Sequence, residues 1–203
     1  MPGTDEPKTG PAAEGPQAEA AEPAKPVTWL MLIYRVPSEP TRLRAAVWRR
    51  LRNLGAIYLQ NSAAAAPRTP QSERMLRALR SEIVESMSGQ AFLVSTSSVI
   101  GESDLVALYN AARDDEYEEI LDKCVDFHEG VAKEVRAQHF TYGELEENEE
   151  DLTKLRGWHE KVKARDVLGA ARAKDVVKAL EDCARTLEEF AASVYEAEDS
   201  AIF

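Results

Sequence analysis

Residues Trp29–Pro67 read WLMLIYRVPSEPTRLRAAVWRRLRNLGAIYLQNSAAAAP, and this stretch decides the fold. It opens with a short, nearly continuous apolar run that ends before Pro37, a pattern typical of a buried strand. Four aliphatic residues then recur at helical spacing: Leu43, Val47, Leu51 and Leu54. Gly55 follows them, at the position where many helices end. Residues 56–67 then predict a second strand that can bend into two.

The same alternation of elements continues to residue 100. Apolar residues at spacings of four predict a second helix over residues 70–87, and these are Met75, Leu79, Ile83 and Met87. Residues 90–100 predict a closing strand. The order β-α-β-(β)-α-β predicts an α+β fold, a ferredoxin-like small antiparallel sheet with two helices on one face. A winged-helix arrangement needs three helices before a hairpin, which this order does not supply.

Residues 102–198 predict an almost entirely helical segment, broken near Gly169. One apolar stripe runs through Tyr117, Ile120, Cys124, Phe127 and Val131. Another runs through Ala173, Val176, Leu180, Cys183, Leu187, Phe190 and Val194. We therefore expect an all-helical C-terminal hairpin or bundle over residues 102–203, packed on an α/β segment of residues 27–101.

Residues 1–26 hold six of the ten prolines and no aromatic residue, which predicts a disordered tail because burial cannot offset its ordering entropy. The chain has no basic, apolar leader, and no apolar run approaches the ~20 residues of a membrane span. We accordingly expect a cytoplasmic protein without a membrane partner.

The net charge of −11 hides an opposition between two segments. Residues 27–100 carry ten arginines, no lysine and four acids, a net charge of +6. Residues 101–203 carry 13 bases and 27 acids, a net charge of −14. Binding to a polyanion depends on where positive charge lies, so the acidic total does not exclude a nucleic-acid partner.

The arginines of the first helix are the main candidate binding residues. A helical wheel places Arg42, Arg49 and Arg52 opposite the aliphatic stripe and Arg44 beside Leu51. The exposed set is interpreted either as a face for DNA phosphates or an oxyanion, or as a solvated basic face. Arg35, at the end of the first strand, and Arg44 are further candidates, and a salt bridge to an acid of the C-terminal half is the alternative for both.

Glu144, Glu147 and Asp151 share one face of an acidic helix predicted near residues 143–163. They are interpreted as intramolecular partners of Arg35 or Arg44, as a solvated helix start, or as a weak divalent-metal site. Cys124 and His128 have a spacing that metal ligands can use, but Cys124 lies on the apolar stripe, which favours a buried cysteine. We find no catalytic motif, so no enzyme, metal or cofactor is predicted.

The stretch quoted above resembles the N-terminal domain of ChrB-type chromate-resistance proteins, together with ELEENEEDLTKLRGWHEKVKARDVLGA at 144–170 and ALEDCARTLEEFAASVYEAE at 179–198. The resemblance covers roughly residues 27–198. It implies a bacterial transcriptional regulator that responds to chromate, with DNA binding in this domain and chromate sensing in a further C-terminal domain.

Because the chain ends at Phe203, we expect a stand-alone protein of this kind. Its expected partners are DNA, chromate or another oxyanion, and a second copy of itself in a homodimer. The alternative is a non-catalytic interaction module whose arginine face is neutralised by its own acidic helix.

Overall fold

The computed structural model describes residues 26–201, which form a four-stranded sheet with two helices, followed by three long helices. In chain order the elements are β1 (Trp29–Arg35), α1 (Arg42–Leu54), β2 (Ile57–Gln60), β3 (Ala63–Pro67), α2 (Pro70–Glu85), β4 (Gln90–Thr96), α3 (Glu102–Ala137), α4 (Tyr142–Lys163) and α5 (Ala173–Ala201). The predicted α+β fold is confirmed. The predicted disordered tail falls on residues 1–25, outside the described residues, and on Pro26.

The sheet has the strand order β2-β3-β1-β4, and every neighbouring pair is antiparallel. This order, reached through β-α-β-β-α-β, is that of the predicted ferredoxin-like sandwich. The bend predicted between residues 56 and 67 is a hairpin, because only Asn61 and Ser62 separate β2 from β3. Trp29 of β1 lies opposite Pro67 of β3 and Thr96 of β4, so β1 is paired along both edges.

One face of the sheet is covered by α1 and α2. Side chains alternate across a strand, so Leu30 and Leu32 of β1 point together into this layer. They pack with buried residues of the two helices: Val47, Leu51, Leu76, Leu79 and Ile83. The aliphatic stripe that predicted α1 is therefore the face that buries it.

The opposite face of the sheet receives the N-terminal half of α3. Trp29, fully buried, meets the ring of Tyr109 edge-on at a centroid distance of 6.0 Å. Arg113 is also buried, and its guanidinium donates to the carbonyl oxygen of Gly55 at 2.7 Å. Arg113 pairs with Glu116 at 3.2 Å, and Glu116 in turn pairs with Arg165, beyond α4, at 2.7 Å. This cluster joins the sheet layer to the helical segment.

The remainder of α3 packs with α4 and α5 in a three-helix bundle. The first predicted stripe is buried at all five of its positions, and five residues of the second are buried as well: Val176, Leu180, Cys183, Phe190 and Val194. The predicted break at Gly169 lies in the connection between α4 and α5. In the described part of the chain, no helix combines the length and apolarity that a membrane crossing requires.

A candidate anion and nucleic-acid interface

A cleft opens where β1 ends and α1 begins. It encloses about 700 Å³ and is lined by Arg35, Arg44, the intervening residues 36–39 and residues 88–90 of the α2–β4 loop. Arg44 is exposed, so its predicted inward position beside Leu51 is wrong. The buried side of α1 is narrow, with only Val47 and Leu51 fully covered, and the first turn of the helix lies at the cleft. The structure thus brings Arg35 and Arg44 to one opening.

Gly89 sets the width of this cleft. A Cβ atom at Gly89 would lie 2.6 Å from the carbonyl oxygen of Arg35 and 2.8 Å from Cγ2 of Ile83. Only glycine allows the α2–β4 loop to approach the end of β1 this closely. The loop therefore holds the backbone of Arg35 at the wall of the cleft, while its guanidinium has no ion-pair partner in residues 26–201.

Three arginines of α1 point away from the sheet. Arg42, Arg49 and Arg52 are exposed, as the helical wheel predicts. The guanidinium of Arg52 lies over the ring of Trp48, 5.3 Å from its centroid. Trp48 is itself 47% exposed. In nucleic-acid complexes an exposed aromatic ring stacks on a nucleobase, and a guanidinium beside it binds a phosphate.

The neighbouring helix α2 adds basic residues that the sequence interpretation omitted. Arg74 is exposed and has no ion pair among the described residues, whereas Arg77 binds Glu73 at 2.6 Å. The hydrogen bonds from Arg77 and Arg68 lower the pKa of Glu73, which keeps this carboxylate ionised. The signal was present in the sequence, since Arg74, Arg77 and Arg80 recur every three residues along α2.

We use the term arginine face for Arg42, Arg49, Arg52 and Arg74 of helices α1 and α2. Their side chains are exposed and form no salt bridge with another described residue. Arg50, on the flank of α1, is excluded because it pairs with Glu82 of α2. Together, α1 and α2 therefore keep an excess of positive charge.

The predicted acidic partners lie elsewhere. Between residues 26 and 201, no salt bridge links Glu144, Glu147 or Asp151 to Arg35 or to an arginine of α1, and Asp151 binds Lys154 at 2.9 Å. The far end of α4 is the end nearest α1, because Lys161 and Ala164 share a cavity with Asn53 and Leu54. At 1.5 Å per residue, Glu147 is about 25 Å from that end. The acidic start of α4 therefore leaves the arginine face open.

The two cysteines are buried, as predicted, and they face each other between α3 and α5. Cys183 Sγ lies 3.6 Å from Nε2 of His128, whose Nδ1 lies 3.1 Å from the hydroxyl of Thr186. The hydrogen bond with Cys124 and burial both raise the pKa of Cys183, so this thiol stays protonated at neutral pH. These groups form a packed polar contact of the bundle, remote from the cleft and the arginine face.

Comparison with known proteins identifies one family. The model of the family described as "Protein ChrB, N-terminal" matches residues 44–201. The match covers most of the chain, from the first turn of α1 to the end of α5. No curated protein and no solved structure gives a significant match.

Proposed function

The chain belongs to the ChrB N-terminal domain family, and we propose that this chromate-resistance-related protein is a transcriptional regulator that binds DNA through its arginine face. One observation carries the proposal: the exposed side chains of Arg42, Arg49, Arg52 and Arg74 project from α1 and α2 and form no salt bridge with another described residue, although the chain as a whole has a net charge of −11. Arginine suits DNA phosphates because its planar fork donates two parallel hydrogen bonds.

The distribution of charge supports this orientation. The acidic bundle extends from the opposite face of the sheet, and its most acidic segment, at the start of α4, lies far from α1. DNA that approaches α1 and α2 therefore meets positive charge first. The alternative, an interaction module whose arginines are neutralised by its own acidic helix, lacks the ion pairs that it requires in the described residues.

The proposal is tested by the anisotropy of a labelled duplex from the DNA upstream of its own gene, titrated with the full chain. We expect the triple variant R42A/R49A/R52A to bind weakly. Its slope of log affinity against log salt should be shallower by about 2.7, since three phosphate contacts are lost. The matched control K133A/R136A/K178A removes the same charge from exposed positions on the bundle and should bind as the wild type does.

Two outcomes would reject the DNA proposal. One is the absence of binding at low salt, where phosphate contacts are strongest. The other is an equal loss in both triple variants, which would assign the effect to net charge instead of the arginine face.

A second candidate function, binding of chromate, is favoured by the cleft. Arg35 and Arg44 line it together with Ser38 and Ser88, a set of donors that suits a tetrahedral dianion. Glu39 also lines the cleft, so the two arginines leave it a net charge of +1. In the same assay, chromate should change DNA affinity in the wild type but not in Arg44→Ala, with sulfate as the control anion. An unchanged chromate response in Arg44→Ala would exclude the cleft.

A further inference from the structure

The turn between α3 and α4 brings together three potential metal ligands, one from each helix and one from the turn itself. Gln138 ends α3 in the left-handed conformation, and Thr141 begins α4 by accepting a hydrogen bond from the backbone N–H of Glu144. His139 lies between them. Phe140 holds the turn against the bundle, with its ring 6.0 Å from that of Phe190 on α5.

The ligand atoms of Glu134, His139 and Glu144 all lie within 4.8 Å of one another. Nδ1 of His139 is 3.0 Å from Oε2 of Glu134. Ligands of a tetrahedral ion with bonds of ~2.0–2.1 Å are separated by about 3.3 Å, so small side-chain rotations suffice to bring the three atoms onto one ion. Imidazole nitrogen and carboxylate oxygen are ordinary ligands of Zn²⁺.

The negative charges around this triad favour the binding of a cation. Glu134 lies in the last turn of α3, where the helix dipole disfavours a carboxylate, and its side chain is only 17% exposed. The imidazole of His139 is the one side chain that hydrogen-bonds to it in the described residues, and Glu144 adds a second negative charge nearby. Residues 142–151 contain six acids and no base, which raises the local concentration of cations.

The presence of a histidine distinguishes this triad from the other acidic residues of α4. Glu147 and Asp151, which the sequence groups with Glu144 on one helical face, take no part in it, and Asp151 already pairs with Lys154. The partners of Glu144 come from α3 and the turn instead.

We propose that Glu134, His139 and Glu144 form a binding site for a divalent transition metal of the Zn²⁺ type, with water completing the coordination. The bound ion ties the end of α3 to the start of α4. Hard ions such as Mg²⁺ bind more weakly, because they prefer an all-oxygen octahedral shell.

Isothermal titration of the full metal-free chain with zinc chloride tests the site. The wild type should bind one equivalent, and its melting temperature should rise with zinc concentration. His139→Ala and Glu144→Gln should each lower the affinity at least tenfold and abolish the thermal shift. Glu147→Gln, which removes the same charge one turn along α4, should retain both, and magnesium chloride should give neither.

Zinc binding that survives His139→Ala would overturn the proposal, as would an equal loss of affinity in Glu144→Gln and Glu147→Gln. The absence of saturable zinc binding in the wild type would overturn it as well. Since the circular dichroism of each variant reports whether it folds, a loss of binding is assigned only to folded protein.

Discussion

Arg44 shows at the scale of one residue where a helical wheel fails. The wheel places Arg44 beside Leu51, but the structure exposes its side chain at the cleft. A wheel assumes that burial continues along the whole helix. The first turn of α1, however, lies at the cleft that Arg35 also lines. The side chain of Arg44 is therefore exposed, although the wheel places it close to the buried stripe.

Gly55 combines a left-handed backbone with a close approach of Arg113. Its φ is +79°, and a Cβ atom there would lie 2.5 Å from Nη1 of Arg113. We expect Gly55→Ala to lower the free energy of unfolding by at least about 2 kcal/mol, because left-handed backbone strain adds to the displacement of Arg113. Urea unfolding measures this change.

Gly130→Ala is the matched control for that measurement. Gly130 lies in the interior of α3, and a Cβ atom there meets nothing within 4 Å. Alanine should therefore stabilise the protein by about 0.5–1 kcal/mol through helix propensity. A Gly55→Ala variant as stable as the wild type would contradict the close approach of Arg113.

At the scale of elements, the first and second helices were predicted well because each has one buried face. Their residue spacing alone located α1 and α2 to within a few residues. The start of a helix is less visible in sequence, since α1 and α2 both begin after a threonine but only one of the two threonines forms a cap. The Thr69 hydroxyl accepts the N–H of Ser72 at 3.0 Å, whereas the Thr41 side chain makes no capping hydrogen bond.

This difference predicts unequal effects of the same substitution. Thr69→Ala should destabilise the protein by about 1 kcal/mol, because the capping box of α2 loses its side-chain acceptor. Thr41→Ala should change the free energy of unfolding by less than about 0.5 kcal/mol. Thermal unfolding of both variants measures these effects. An equal loss of stability in the two variants would show that the Thr69 hydroxyl contributes no more to stability than that of Thr41.

At the scale of the whole molecule, Arg113 is the residue that connects the two segments. It reaches from α3 to the carbonyl of Gly55 and stacks under the ring of Tyr109, at 5.2 Å from the centroid. Its sequence position, within an acidic helix, gave no signal of this role. The burial of an arginine within such a helix can be recognised only when the elements that pack around it are known.

Arg113→Ala should therefore lower stability by about 3 kcal/mol, since it leaves the Gly55 carbonyl and part of Glu116 without a partner in a buried site. It should also change the fluorescence of Trp29, which packs on the adjacent Tyr109. Arg136→Ala, at an exposed position on the same helix, should change stability by less than about 0.5 kcal/mol. Similar unfolding curves for the two variants would refute a connecting role for Arg113.

The sequence by itself determined the order of elements, the faces that they bury, the opposition of charge and the family. These follow from local periodicity, segment composition and motifs, which need no knowledge of distant contacts. The tertiary structure decided which charges meet. It separated Glu144 from the arginines, placed Arg44 in the cleft with Arg35, and joined Glu144 to Glu134 and His139. The ion pairs depend on distances between elements that lie far apart along the chain, and the ligand set within residues 134–144 depends on how the turn places α3 against α4. Only the packed fold sets those distances.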